Sequence, residues 1–121
     1  MNSNKQLLSD SLLPKATLEH LANYFQALSH PSRLQLLNCL CHSNVGIGVS
    51  SLAQQTNLSI ANVSRQLALL AKNGFVKKEV KGNSAIYSIS DNNLHLMCEL
   101  VCQNINNRLA SEAEAHNAFL N

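Results

Sequence analysis

Tryptophan is absent from this chain, and only three Phe and two Tyr supply large aromatic side chains. The core must therefore be built from Leu, Ile, Val and Ala, a composition that favours helices. No apolar run approaches the roughly 18 residues expected of a membrane span. The stretch from Met1 to Asp10 also lacks the apolar centre of a signal peptide. These absences lead to the expectation of a cytoplasmic protein with no membrane partner. No glycine-rich loop of the phosphate-cradling kind is present, and no His, Cys and Asp arrangement sets a base beside a nucleophile with a third orienting group. An enzyme is not expected. Internal repeats and low-complexity segments are also lacking.

What is present suits one small domain. The 121 residues are 45% hydrophobic, enough for a single packed core without staples. The formal net charge of +2 neither demands nor excludes nucleic acid, since placement matters more than the total. Four cysteines in a reducing compartment are more often free thiols, metal ligands or redox sensors than structural disulfides.

Residues 1–14 are polar and irregular and are read as an N-terminal arm closed by Pro14. From Thr17, Leu18, Leu21, Ala22, Phe25 and Leu28 recur at helical spacing and predict a first helix with one apolar stripe. Pro31, preceded by His30 as a cap, opens a second helix that runs to about His42, with Leu34, Leu37 and Cys41 expected on its inner face. Ser43 to Gly48 reads as a loop. Ser50 is expected to cap a short third helix over 51–56, and Ser59 a fourth over 60–73 with Val63, Leu67 and Leu70 inward and Gly74 as its stop. A short helix, a tight turn and a second capped helix form a helix-turn-helix pattern. The period then changes. Residues 75–80 and 85–89 read as two strands joined through Lys81, Gly82 and Asn83, a hairpin placed where a wing would be. Asp91 caps a long last helix with Leu94, Met97, Val101, Ile105 and Leu109 on one stripe, too long for one small domain to cover.

The fold class expected is thus mainly α with a small β-hairpin wing (α+β), a winged helix-turn-helix whose long last stripe supports dimerisation. Residues 15–112 form the DNA-binding and dimerisation domain, and 113–121 a C-terminal tail. The fourth helix exposes Ser59, Asn62, Ser64, Arg65 and Gln66, the side chains a major-groove reader uses. Arg can bond a guanine edge in two places, Asn and Gln can do so with adenine, and Ser meets phosphates. Lys77, Lys81 and Asn83 of the wing suit the DNA backbone or minor groove. A polar helix face alone is usually just solvated, but here it stands with a capped helix-turn-helix and a basic hairpin in the right order.

The runs Ala27-Leu-Ser-His-Pro-Ser-Arg-Leu-Gln-Leu-Leu37, Leu58-Ser-Ile-Ala-Asn-Val-Ser-Arg-Gln-Leu-Ala-Leu-Leu70, Gly74-Phe-Val76 and Ala85-Ile-Tyr-Ser-Ile89 resemble the ArsR/SmtB family of bacterial repressors over roughly residues 17–110. Gln66 departs from the His common at that place, which shifts base preference. The resemblance implies a homodimer formed through the first and last helices on an inverted-repeat, double-stranded DNA operator, released when an inducer binds. Two of the family's sensor sites are missing. Gly48-Val49-Ser50 stands where the arsenic-type Cys-Val-Cys would be, and of the zinc-type ligands only Asp91 remains, with Asn93, Asn104 and Asn107 at the other places. The family's redox pair falls at Asn38 and Asn106.

Three readings of the cysteines stay open. Cys98 and Cys102 lie one turn apart on the last helix with His95 on the same flank, a spacing suited to a soft ion such as As(III), Zn or Cd, with Cys41 or the other subunit as a further ligand. Alternatively, Cys41 and Cys102 meet where the second and last helices cross and respond to reactive sulfur or an oxidant. The bland reading makes the cysteines small core hydrophobes. The competing function of another class is a winged-helix protein-interaction module with structural cysteines and no inducer. The cationic face around Arg65 argues against it.

Overall fold

A computed structural model describes residues 12–120. The elements run α1 (Lys15–Leu28), α2 (Pro31–Cys41), β1 (Ile47–Gly48), α3 (Val49–Thr56), α4 (Ile60–Lys72), β2 (Val76–Lys81), β3 (Ser84–Ile89) and α5 (Asn92–Leu120). The fold class read from the sequence holds: the described residues form five helices and one small antiparallel sheet. Most of the arm read over 1–14 lies outside the described residues.

Local signals set most boundaries. Pro14 is extended and accepts the first helical bond of α1 from Leu18 N–H at 3.1 Å, so α1 starts two residues before the expected Thr17. His30 Nδ1 accepts from Ser32 N–H at 3.1 Å, with Pro31 at the first helical position. Ser59 Oγ accepts from Asn62 N–H at 3.1 Å, and Asp91 Oδ1 accepts from Asn93 and Leu94 N–H at 2.9 and 3.2 Å. After α4, Gly74 N–H donates to Ala71 and Phe75 N–H to Leu70, with Gly74 at φ +81°. That is a Schellman closure, which favours a residue without a Cβ. It turns the chain from α4 into the sheet.

Three expectations are corrected. Ser50 does not cap α3; the helix begins at Val49 after Gly48, with no side-chain cap, because the preceding residues are already fixed in a strand. That strand is itself new. Ile47 pairs with Tyr87 and Gly48 with Ile86, making a three-stranded sheet in the order β1-β3-β2 out of what read as a loop and a hairpin. Gly46 permits it: at φ +83°, an added Cβ there would lie 2.9 Å from the Tyr87 carbonyl. The third correction concerns α2, whose buried face is Leu36, Leu37 and Leu40, while Leu34 is 47% exposed and Cys41 half-buried. Leucines occupy both flanks of this helix, so helical spacing alone does not choose between them. The wing turn is Gly82-Asn83, with Lys81 paired to Ser84 and only Gly82 at positive φ, as a type II′ turn asks.

The core centres where α2, α3 and α4 meet: Leu36, Leu37, Leu40, Leu52, Val63, Leu67 and Leu70 are all buried to 1% exposure or less. Phe75, Val76 and Tyr87 extend it under the sheet, and Leu94 is the one fully buried residue of α5. The stripes of α1 and α5 are present, but apart from Leu28, Leu94 and Met97 they are left uncovered among the described residues. Leu18, Leu21 and Phe25 on one, and Leu96, Leu100, Val101, Ile105 and Leu109 on the other, are exposed. Helix α5 spans 29 residues, about 43 Å, and continues without a break through 113–120, the segment set apart above as a tail. No helix among the described residues is long and apolar enough to cross a membrane.

Because Leu67 is wholly buried on the inner face of α4, Leu67→Ala is expected to lower the unfolding free energy by about 2–5 kcal/mol in urea titration.

Candidate nucleic-acid interface and thiol groove

Helix α4 is held at its start, its side and its end. The turn before it places Asn57 in the left-handed region (φ 59°), and Leu58 N–H donates to Ala53 O at 3.2 Å. Leu58 lies one residue before the cap and Val63 four residues after it, the positions of a hydrophobic staple, and both join the core. From α2, Gln35 Nε2 donates to Thr56 O at 3.2 Å, fixing the end of α3.

The sequence-derived DNA-facing residues fall into two groups. Ser64 and Arg65 are exposed and make no hydrogen bond or ion pair within the described residues, so they are free to meet a ligand. Ser59 is exposed, but its oxygen is engaged as the cap. Asn62 and Gln66 are half-buried and bonded to each other, Gln66 Nε2 donating to Asn62 Oδ1 at 3.2 Å. Gln66 Oε1 also accepts from Arg33 Nη1 at 3.0 Å. Arg33 further donates to the carbonyls of Ala27 and Gln26 at the end of α1. Sequence reasoning missed Arg33 as part of this surface, because its contact with Gln66 joins residues 33 positions apart.

On the wing, Lys77 and Lys81 share one sheet face, with Glu79 between them, while Lys78 lies on the opposite face with its partner Tyr87. Lys81 Nζ lies 3.7 Å from Glu79 Oε2, both well exposed, a contact of little energetic weight. Asn83 is exposed at the tip.

A groove of about 880 Å³ lies between the end of α1, α2 and α5. Its walls are mainly apolar, and Cys41, Cys98 and Cys102 open into it. Cys39, two residues from Cys41, packs against the core instead. Burial first, then the neighbouring Cys98 and Glu99, push the Cys41 thiol above its usual range. Burial first, then Cys102, push Cys98 up in the same way. Cys98 is thus a neighbour of Cys41, and Cys102, expected at the crossing of the two helices, lines the same groove one turn further along α5. His95 is turned to Glu99, with Nε2 3.1 Å from Oε1. No three His, Cys, Asp or Glu side chains among the described residues converge to hold a metal ion, so His95, Cys98 and Cys102 do not form a ready site for a soft metal within one protomer.

Helix, turn, capped helix and hairpin in this order, with an exposed Arg and Lys surface, define the winged helix-turn-helix class. A helix-turn-helix domain family matches residues 28–79. The transcriptional regulator Rv0081 of Mycobacterium tuberculosis is 35% identical over 69 residues, 57% of this chain and 60% of its own length. A transcriptional repressor SmtB homolog of Synechocystis is 34% identical over 76 residues, 63% of this chain and 56% of that protein. The Escherichia coli regulator YgaV is 30% identical over 77 residues, 64% of this chain and 77% of YgaV. The chain therefore spans about 60% of the length of the first of these relatives. The crystal structure of Rv0081 superposes with a TM-score of 0.76 at 25% identity, covering 83% of this chain and 99% of that one. The antimony-specific transcriptional repressor AntR gives 0.74 at 28%, covering 87% and 94%. A homodimeric winged helix-turn-helix domain from Mycobacterium bovis, a possible ArsR-family regulator, shares the fold at 0.69 and 23%, covering 79% and 90%. The chain belongs to the ArsR/SmtB family of winged helix-turn-helix transcriptional regulators.

The two halves of the surface give separate expectations. Arg65→Ala should cost about 1–3 kcal/mol of DNA affinity and loosen preference at one operator position, whereas Lys81→Ala should weaken all sequences equally and lower the salt slope. Anisotropy titrations on matched and scrambled duplexes at several salt concentrations separate them. In the groove, the raised thiols stay protonated at neutral pH, and thiolate is the nucleophile. Alkylation of Cys41 and Cys98 by iodoacetamide, followed residue by residue by mass spectrometry, should accelerate only at pH values above those where a free thiol in a model peptide responds.

Proposed function

We propose that this protein is a cytoplasmic, homodimeric repressor that holds an inverted-repeat operator through α4 and the wing and lets go when thiols in the α2–α5 groove react. No catalytic activity is assigned to it. Dimerisation accounts for the uncovered stripes of α1 and α5, which are larger than the scattered apolar residues normal on a monomer surface. Two such protomers would present two copies of α4, as a palindromic site requires.

The observation that carries the sensing half is the shared lining of one groove by Cys41, from α2, and Cys98 and Cys102, from α5. Exposed Cys102 is the thiol that an incoming reagent meets first. Reaction with peroxide or polysulfide would join Cys41 to a thiol of α5, the two thiols giving up two protons and two electrons to the oxidant. Such a bond would draw α2 and α5 together across the groove and change the spacing of the dimer's two recognition helices. A soft metal or metalloid inducer finds less support, since no ligand set is assembled in one protomer. The antimony-specific repressor AntR keeps it in the experiment as the contrasting arm.

The test is fluorescence anisotropy of the reduced protein on the DNA upstream of its own gene. Peroxide and polysulfide form one series, and arsenite, antimonite, zinc and cadmium the other. Release by the first series, lost in Cys41→Ser and in Cys98→Ser, is the expected result. Release by the second series alone would replace the redox reading with a metal-bridged one. Tight binding indifferent to every agent would reduce the cysteines to packing. No binding to any duplex would favour a protein-interaction module.

A further inference from the structure

The hydrogen-bonding direction of the recognition helix is dictated from a different helix. A guanidinium has donors only. Arg33 on α2 spends two of its groups on the carbonyls of Ala27 and Gln26, so it is anchored to the end of α1. A third group, Nη1, donates to Gln66 Oε1 at 3.0 Å. The Gln66 amide is thereby oriented: turned over, it would set N–H against N–H. Its Nε2 must point the other way, and it donates to Asn62 Oδ1 at 3.2 Å. The Asn62 oxygen is therefore turned toward Gln66 with one lone pair engaged, and Nδ2, a pure donor, is the group that Asn62 presents away from it. Asn62 also sits in the first turn of α4, where its backbone N–H is tied to the Ser59 cap. In helix-turn-helix proteins, residues at that end of the helix contact base edges.

We infer that Arg33, acting through Gln66, fixes Asn62 as a hydrogen-bond donor toward DNA, so that the start of α4 selects an acceptor edge, guanine or thymine, over cytosine, which has no acceptor there, and adenine, whose N7 stands beside a donor amino group, at one position of each half-site. The paired contact of Asn with adenine requires the oxygen and nitrogen of the amide to face the base side by side, and here the oxygen is directed at Gln66. Gln66, with both ends of its amide engaged inside the protein, is a positioning residue rather than a reader. Arg33 is a positioning residue as well. The inference rests on the DNA-binding reading proposed above, and it deepens that reading by naming the base class that one residue recognises.

Changing one atom type in the chain of bonds reverses its sense. In Gln66→Glu the carboxylate still accepts from Arg33, but toward Asn62 it can only accept. The Asn62 amide must then turn over and present Oδ1, which suits the amino group of cytosine or adenine. The experiment is selection of bound duplexes from a randomised library by the full-length wild type, Gln66→Glu, Asn62→Ala and Arg33→Lys, with sequencing of the enriched pools. The wild type should enrich guanine or thymine at one half-site position, and Asn62→Ala should lose that preference there alone. Gln66→Glu should move the same position toward cytosine or adenine and bind the wild-type site about five- to hundredfold more weakly, the range for a single mismatched base pair. Arg33→Lys, still a pure donor, should keep the wild-type preference. A general structural role for these side chains would weaken binding to all sequences without moving a base preference. A Gln66→Glu pool matching the wild type at every position overturns the inference, as does an Asn62→Ala pool matching it. If the wild type enriches no sequence at all, the DNA reading fails and takes this inference with it.

Discussion

The whole arrangement depends on a dry junction of aliphatic side chains where α2, α3 and α4 meet. Leu36, Leu37 and Leu40 lie against Leu52 and against Val63, Leu67 and Leu70, with essentially no solvent access. A chain without Trp has no large rigid plate to lock two helices at an angle, so it uses seven branched aliphatic residues instead. Their close packing sets the angle at which α4 leaves the body, and the Schellman turn at Gly74 passes that angle on to the sheet. Recognition helix and wing thus share one foundation.

Polar bonds refine what the aliphatic junction sets. Gln35 steadies the end of α3, and Arg33 joins the end of α1 to the side of α4. Both residues belong to α2, which also carries Cys41 at its far end, in the groove. One short helix therefore touches the thiols, the end of the apolar stripe of α1 and the polar side of the recognition helix. Under the function proposed above, a shift of α2 would act at all three places, a physical route between groove and DNA face without a long chain of intermediates.

Legibility in the sequence followed the range of the signal. Caps and stops act within a turn, so His30, Ser59, Asp91 and Gly74 marked their helices correctly. The inner face of α4 was also plain, since Val63, Leu67 and Leu70 recur at spacings of four and three while Asn62, Ser64, Arg65 and Gln66 leave no competing apolar stripe in its first half. What failed was non-local. Strand β1 exists only because β3 is there to pair with it, and residues 43–48 carry no strand pattern of their own. The start of α3 at Val49 follows from that strand, not from Ser50. On α2 the buried face was misjudged because Leu34 and Leu36 offer equal hydrophobicity on different flanks. The DNA face was read as a set of independent polar side chains, and the bond from Arg33 divided it into free residues, Ser64 and Arg65, and committed ones, Asn62 and Gln66.

The position of β2 at the margin of the sheet has its own consequence. Its order, β1-β3-β2, leaves one side of β2 with unpaired backbone groups, and five of its six residues are exposed. Such an edge is a template on which another chain can add a strand. Lys77, Lys78 and Lys81 stand along it, and lysines on an edge repel a second copy of the same edge. Charges placed where they suit a polyanion thus also keep the protein from polymerising through its wing. Neutralising them to weaken contacts with the duplex would remove a safeguard against aggregation in the same step.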